Sequence, residues 1–447
     1  MAKADSRSNP LANRTYRHLF AAQVLSLLGT GLATVALGLL AFDLAGANAG
    51  AVLGTALAIK MIAYVGIAPL AGAFVHLVPR RSLLVTLDVL RAVVALALPF
   101  VTEIWQVYVL IFVLQTGSAA FTPTFQATIP DILPDETDYT KALSLSRLAY
   151  DLEALASPAI AAALLGLVGF HWLFAGNALG FLASAALVLT VVLPSPKPPA
   201  AQEGAWGRIT RGARIYLATP RLRGLLALNV TVAAAGAMVI VNTVVLVRAG
   251  FGLGAAELGW TLAAYGAGSM VAALVVPRLL DGVMTDRTAM MAGAGLLVAG
   301  LLLGPLVPSW PMLLPLWMLL GLGNGLVLTP SGRLLRRSAH AGDRPALFAA
   351  QFALSHACWL IAYPVAGRFG AAAGMEATFL VLAAMGAGGL VAAIVLWPRD
   401  DAEEIEHVHD RLPVGHVHVG DARPDQAGAL RHRHAFVIDE LHQRWPR

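Results

Sequence analysis

Charge is scarce in this chain. Only 13% of its 447 residues are Asp, Glu, Lys or Arg, about half the ~25% of an ordinary soluble domain. With 58% hydrophobic residues and a mean hydropathy of +0.71, one water-soluble core is excluded, because such cores stop growing beyond ~250–300 residues. Cysteine is scarcer still. Cys358 alone excludes a disulfide framework and any all-cysteine metal cage, which needs several thiolates on one ion. His-Glu-x-x-His is missing, as is Gly-x-x-x-x-Gly-Lys-Ser/Thr, the stretch from Gly54 to Lys60 having the wrong spacing. Zinc hydrolysis and ATP binding therefore lack their residues, and the chain reads as no enzyme.

Apolar runs of the length that crosses a bilayer core are what the chain has in plenty. Twelve can be read, over 19–43, 51–75, 82–101, 105–127, 141–167, 172–194, 222–247, 258–280, 288–307, 311–332, 345–368 and 375–397. The expected class is an all-α polytopic membrane protein. The first run follows Lys3, Arg7, Arg14 and Arg17 and exceeds the ~7–15-residue apolar region of a signal peptide, so it is expected to be a retained span.

Basic residues are distributed unevenly. Connections after even-numbered spans carry Arg80, Arg81, Lys141, the group from Lys197 to Arg223, Arg278, Arg287, Arg333, Arg336, Arg337 and Arg344; those after odd-numbered spans carry Arg248 and Arg368. Positive residues stay inside during insertion, which predicts a multi-pass protein of the cytoplasmic (inner) membrane with both termini in the cytoplasm. The pI near 9.5 then reflects topology beside anionic lipid, and no nucleic-acid partner is needed.

Shifting the chain by 205 to 207 residues superposes matching features. Arg17 to Gln23 (RHLFAAQ) meets Arg223 to Asn229 (RGLLALN), Leu53-Gly54 meets Leu258-Gly259, and Thr122-Pro123-Thr124 meets Thr329-Pro330-Ser331. Six spans per repeat is an even number, so both halves insert the same way and are related by an axis along the membrane normal. The expected division is a cytoplasmic N-terminus over 1–18, a six-helix half over 19–194, a linker over 195–221, a second six-helix half over 222–397 and a His-rich tail over 398–447.

With these features the chain resembles the major facilitator superfamily over residues 14–397. Between spans two and three, Gly72-Ala-Phe-Val-His76-Leu77-Val-Pro79-Arg80-Arg81 keeps the glycine and paired arginines of the family's loop signature. It departs at His76, which stands where the family has an acid, at Leu77 and at Pro79, while the repeat sets Asp281 opposite His76. The resemblance implies a conformational latch from Gly72, His76, Arg80, Arg81, Asp88, Arg91 and Asp281; arginines that merely set topology are the plainer reading. In span five, Glu153-Ala-Leu-Ala-Ser157-Pro158 is similar to an antiporter motif and implies export. Span one and the span order resemble macrolide and siderophore exporters, and the tail resembles that of nickel-resistance exporters.

Ionisable groups inside a bilayer are costly and face a cavity or a partner. Lys60, Glu153 and His356 fall near mid-span. On span five, Arg147 and Asp151 stand four residues apart as a candidate ion pair, leaving Glu153 as the proton carrier, with a Glu153–Lys60 ion pair as the alternative. His356 shares a stripe with Phe352, Trp359 and Tyr363; Gln351 and Ser355 share another with Cys358. His356 and Cys358 point ~200° apart on a helix and cannot hold one ion together.

Seven of the twelve histidines follow Glu406, six of them as His407/His409, His416/His418 and His432/His434. In an extended chain each pair turns two imidazoles the same way, and imidazole suits nickel, cobalt, copper or zinc; a solvated tail is the bland alternative. The stretch 436–445 is expected to form a short docking helix. Together these readings predict a monomeric, proton-coupled exporter working by alternating access around Glu153, Lys60, His356, Gln351, Asp151 and Arg147, with no resident cofactor. Its first expected substrate is a divalent nickel or cobalt ion, which the tail also binds. Amphipathic macrolide-like drugs or siderophores are the alternative, and a non-transporting metal sensor the third.

Overall fold

The structure, a computed structural model, describes residues 9–74, 78–194, 205–280, 284–340, 343–401, 404–409, 418, 430–439, 441–442 and 444–446. It is built from helices α1 (Arg14–Ala45), α2 (Ala49–Phe74), α3 (Arg80–Ala97), α4 (Ile104–Ile132), α5 (Glu136–Leu165), α6 (His171–Leu189), α7 (Ala205–Ala218), α8 (Pro220–Val244), α9 (Ala255–Leu280), α10 (Asp286–Leu303), α11 (Trp310–Arg336) and α12 (Arg344–Leu396). Helix α12 is two spans, divided at Gly374, whose φ of 83° lies in the left-handed region that glycine reaches without a Cβ penalty. With α7 as a linker helix, the remainder makes twelve spans in two six-helix halves.

Among the described residues, nine helical stretches are apolar enough to cross a membrane, two of them double, which accounts for eleven spans. The remaining span, α5, is the most charged of the set, carrying Glu136, Asp138, Lys141, Arg147, Asp151 and Glu153. Several helices outrun their apolar sequence at the arginine-rich end: α1 begins at Arg14, α4 runs to Ile132 and α11 to Arg336. Hydropathy marks where lipid stops, whereas backbone hydrogen bonding and caps decide where a helix stops. At Arg14 the cap is Asn13, whose side chain accepts the Tyr16 amide at 3.1 Å.

Within the first half α1 packs on α5 and α6, α2 on α4, and α3 on α4 and α6; within the second α8 packs on α12, and α11 on α9 and α10. Two long seams join the halves, α2 against α12 and α5 against α9. Lipid gives no hydrophobic drive to helix association, so small residues that let backbones approach set such contacts. Gly50 and Gly54 form a small-xxx-small pair on α2. A methyl at Gly54 would sit 2.6 Å from the Tyr363 carbonyl oxygen, and one at Gly367 2.3 Å from that of Gly50. On the other seam a methyl at Gly259 would sit 2.5 Å from the Ala162 Cβ. Gly54 and Gly259 are the repeat-related pair, and both seams are tightest at the same end, where α1 passes into α2 and α8 into α9.

Beyond α12, β1 (Glu404–His409) and β2 (Leu430–Ala435) form an antiparallel ladder with His407 opposite His432. No docking helix forms among the described residues of 436–445, where the sequence predicts one. Phe436, Val437 and Ile438 are buried in irregular backbone, and the Asp439 carboxylate accepts the amides of Leu441 at 2.9 Å and His442 at 2.7 Å. Such a local turn competes with helical hydrogen bonding, and the helical spacing of apolar residues does not overcome it.

The seam has a direct test. Overpacking by one methyl costs ~1–3 kcal/mol, a population shift of about 5- to 150-fold. In a Cys358→Ser background with spin labels at exposed positions 47 and 372, Gly54→Ala is expected to move the distance distribution toward longer separations. An unchanged distribution contradicts the seam.

Candidate functional site

Lys60 follows Gly54 by six residues on α2, and His356 precedes Tyr363 by seven on α12. Those helices meet where Gly54 touches Tyr363, so at 1.5 Å per residue both side chains stand about 9–11 Å inward from the seam, at one level. Between them lies Tyr64, one turn beyond Lys60. The Lys60 Nζ is 5.5 Å from the Tyr64 ring centroid, within cation–π range. The His356 ring meets Tyr64 edge-on at 5.2 Å and lies on Phe352 at 4.0 Å. His356 Nδ1 donates to the Phe352 carbonyl oxygen at 2.6 Å; a carbonyl only accepts, so in the neutral ring Nε2 is the acceptor.

Glu153 closes the group from α5. A methyl at Gly31 of α1 would lie 2.8 Å from Glu153 Oε1 and 2.3 Å from Ser157 Oγ, so the glycine makes room for both polar groups. Ser157 donates to the Leu28 carbonyl oxygen at 3.3 Å. Lys60 and Glu153 sit in each other's field, yet among the described residues no ion pair joins them directly. The group spans the division between halves: Gly31, Lys60, Tyr64 and Glu153 come from the first, Phe352 and His356 from the second.

Other expected residues fall elsewhere. The side chains of Arg147 and Asp151 lie outside the described residues. Gln351 is not with His356; its Oε1 accepts from the Tyr216 hydroxyl at 2.5 Å and fastens linker helix α7 to α12. A helical stripe gives direction around the axis, and the neighbour at that depth is α7.

His76, Asp281, and the Gly72 surroundings lie outside the described residues. Arg80, buried, pairs with Asp131 at the end of α4 at 2.5 Å, and Arg81 donates to the Leu189 carbonyl. Asp88 and Arg91 form a pair inside the first half. Asp88 accepts from Ser184 at 2.7 Å, and the Arg91 guanidinium lies between Phe121 at 4.2 Å and Phe181 at 4.4 Å. Three residues apart on α3, they meet by helical geometry and neutralise each other away from the seam.

In the second half Asp286 binds Arg333 at 2.7 Å and Arg337 at 3.8 Å. Position 286 follows Arg80, and 337 follows Asp131, by the repeat offset of 206. The same helix-start to helix-end bridge is thus built twice with its charges exchanged. Sequence reasoning missed Asp131 and Asp286; the offset, applied to charge and not only to identity, was the signal. Asp401 extends the second bridge by accepting from Arg337 and Arg221.

In the tail, His407, His409, His418 and His432 converge with His442. His434 stands beside them, its ring 4.7 Å from that of His407, and His416 lies outside the described residues.

Residues 5–332 match the model of a family described as "transmembrane secretion effector". The chain is 25% identical over 256 residues to the "uncharacterized MFS-type transporter YfiS" of Bacillus subtilis, covering 53% of this chain and 60% of that protein. It is 26% identical over 152 residues to macrolide efflux protein A of Enterococcus faecalis and of Streptococcus pyogenes, covering 32% of this chain and 47% and 37% of theirs. The chain therefore spans less than two thirds of each of these relatives. Among solved structures, an inward-facing bacterial homologue of the lysosomal transporter Spinster matches with TM-score 0.67 at 12% identity, covering 88% of this chain and all of that one. The nucleoside transporter NupG matches with TM-score 0.62 at 14% identity, over 86% of this chain and all of that one. These likenesses show the fold.

The exchanged bridges generate an expectation. Arg80→Asp or Asp131→Arg alone should cost about 2 kcal/mol, between the ~0–1 of exposed pairs and the ~3–5 of buried ones, read as a lower melting temperature in detergent. The double reversal should regain most of the loss; a double variant no better than the worse single one contradicts the pairing.

Proposed function

The chain belongs to the transmembrane secretion effector family of major facilitator transporters, and from that premise we propose that it exports an amphipathic organic molecule by proton-coupled alternating access. The observation that carries this reading is the group at the division between halves: a carboxyl, an amine and an imidazole beside two aromatic rings, contributed by α2, α5 and α12. Aromatic faces take apolar or cationic organic surface, and the polar groups fix its orientation, as few convergent polar groups do in an otherwise apolar site.

A divalent-metal cargo finds little support here. Among the described residues, the one gathering of three or more His, Cys, Asp or Glu donors fit for an ion is in the tail, beyond the last span. The macrolide efflux relatives favour an organic cargo and outward transport.

In this reading Glu153 exchanges a proton for substrate. With the carboxyl protonated, the Lys60 charge is without a counter-charge and repels a cationic guest; once the proton leaves, the pair balances and the site accepts one. Opening the Gly54 and Gly259 contacts exposes the same group to the opposite side. In this reading the arginine-rich end faces the cytoplasm, the Gly54 and Gly259 contacts form the outer seal, and the transporter loads from within. The Arg80–Asp131 and Asp286–Arg333 bridges brace the helices that form the inner mouth.

Inside-out vesicles given a macrolide provide the test. An imposed pH gradient is expected to drive accumulation by the intact chain. Glu153→Gln should abolish the gradient dependence while retaining exchange of labelled for unlabelled macrolide. Gradient-driven uptake that is unchanged in Glu153→Gln overturns the coupling role, and no uptake in any form overturns the macrolide class.

A further inference from the structure

Five imidazoles converge on one point of the tail. The ladder sets His407 against His432, the two-residue period turns His409 to the same face, the Asp439 turn delivers His442, and His418 completes the group. The Nε2 atom of His407 lies 2.9 Å from that of His442 and 3.1 Å from those of His409 and His432; His418 and His442 are 3.2 Å apart.

Ordinary hydrogen bonding does not account for this gathering. His407 Nδ1 donates to the Ile405 carbonyl at 3.1 Å, and His442 Nδ1 donates to the Asp439 carboxylate at 2.9 Å. Both partners are pure acceptors, so each neutral ring presents a lone pair on Nε2, and the two lone pairs face each other at 2.9 Å. A cation bound between them relieves that repulsion. A nitrogen–metal distance of ~2.1 Å with ligands at right angles separates neighbouring nitrogens by ~3.0 Å, against ~3.4 Å for a tetrahedron. The hydrogen bonds to Nδ1 are the orienting contacts that metal-bound histidines use.

We propose that the tail holds one late first-row divalent ion, of the nickel or cobalt class, on the Nε2 atoms of His407, His409, His418, His432 and His442, and that this ion fastens the tail to the second half of the transporter. The fastening points are on the page. Asp439, which orients His442, also accepts from His340 in the α11–α12 connection at 3.2 Å. Phe436, whose ring lies 4.9 Å from His407 and 4.7 Å from His442, offers its carbonyl oxygen to Arg221 at 3.4 Å. Arg221 in turn reaches Asp401, which holds Arg337 of the second-half bridge. The ion is a structural ligand here and not cargo, so the site stands or falls independently of the transport reading.

The test uses the full chain purified without a polyhistidine tag and titrated calorimetrically with nickel chloride, followed by hydrogen exchange. One ion per chain is expected, with slower exchange over β1, β2 and the first turn of α8. Cobalt should give the weak visible absorption of a five- or six-coordinate ion. The double variant His407→Ala/His442→Ala should lose the ion while keeping the melting temperature of the metal-free chain. Asp439→Asn, with every imidazole in place, should weaken binding by about 10- to 100-fold. Absence of binding, binding unaltered in the double variant, or binding without added protection at α8 overturns the proposal.

Discussion

Close approach of glycine backbones at one end of the bundle is the constraint on which the other features depend. In lipid, apolar side chains gain nothing by leaving their surroundings for one another, so halves that must part and rejoin are held by packing at short range. Gly50, Gly54 and Gly367 on one seam, and Gly259 with Ala162 on the other, supply that packing. These small contacts carry the seam. They lie at one end of the bundle, and the polar group sits deeper along the same seam.

That group gains its meaning from position. Lys60 and Glu153 are contributed by one half and His356 by the other, so a change in the spacing of the halves alters the field each feels. Asp88 and Arg91 are equally charged and more deeply buried, yet they lie within a single half and neutralise each other there. The distinction is geometric: the bracing pairs close within a half, whereas the set of Lys60, Glu153 and His356 straddles two.

Much of this was legible in the sequence. Twelve apolar runs became twelve spans, and the repeat offset named Gly54 and Gly259 before their shared place at the seams was visible. Lys60, Glu153 and His356 stand out in the sequence because ionisable groups in an apolar run are expensive, and the fold brings them to the division between the halves. Depth and long-range pairing were less legible. Gln351 shares a helix with His356 but meets α7, and Asp131, Asp286 and Asp401 pair with arginines tens of residues away. The tail was half readable: period two aligned His407 with His409, whereas His442 arrives through an Asp439 turn that apolar spacing concealed.

The exchange of a proton for substrate at Glu153 is the central claim, and release into solution measures it most directly. Purified transporter in weakly buffered detergent near neutral pH, titrated with a macrolide, is expected to release about one proton for each molecule bound, and Glu153→Gln to bind without release. Equal release from both proteins would contradict the assignment of the exchangeable proton to Glu153.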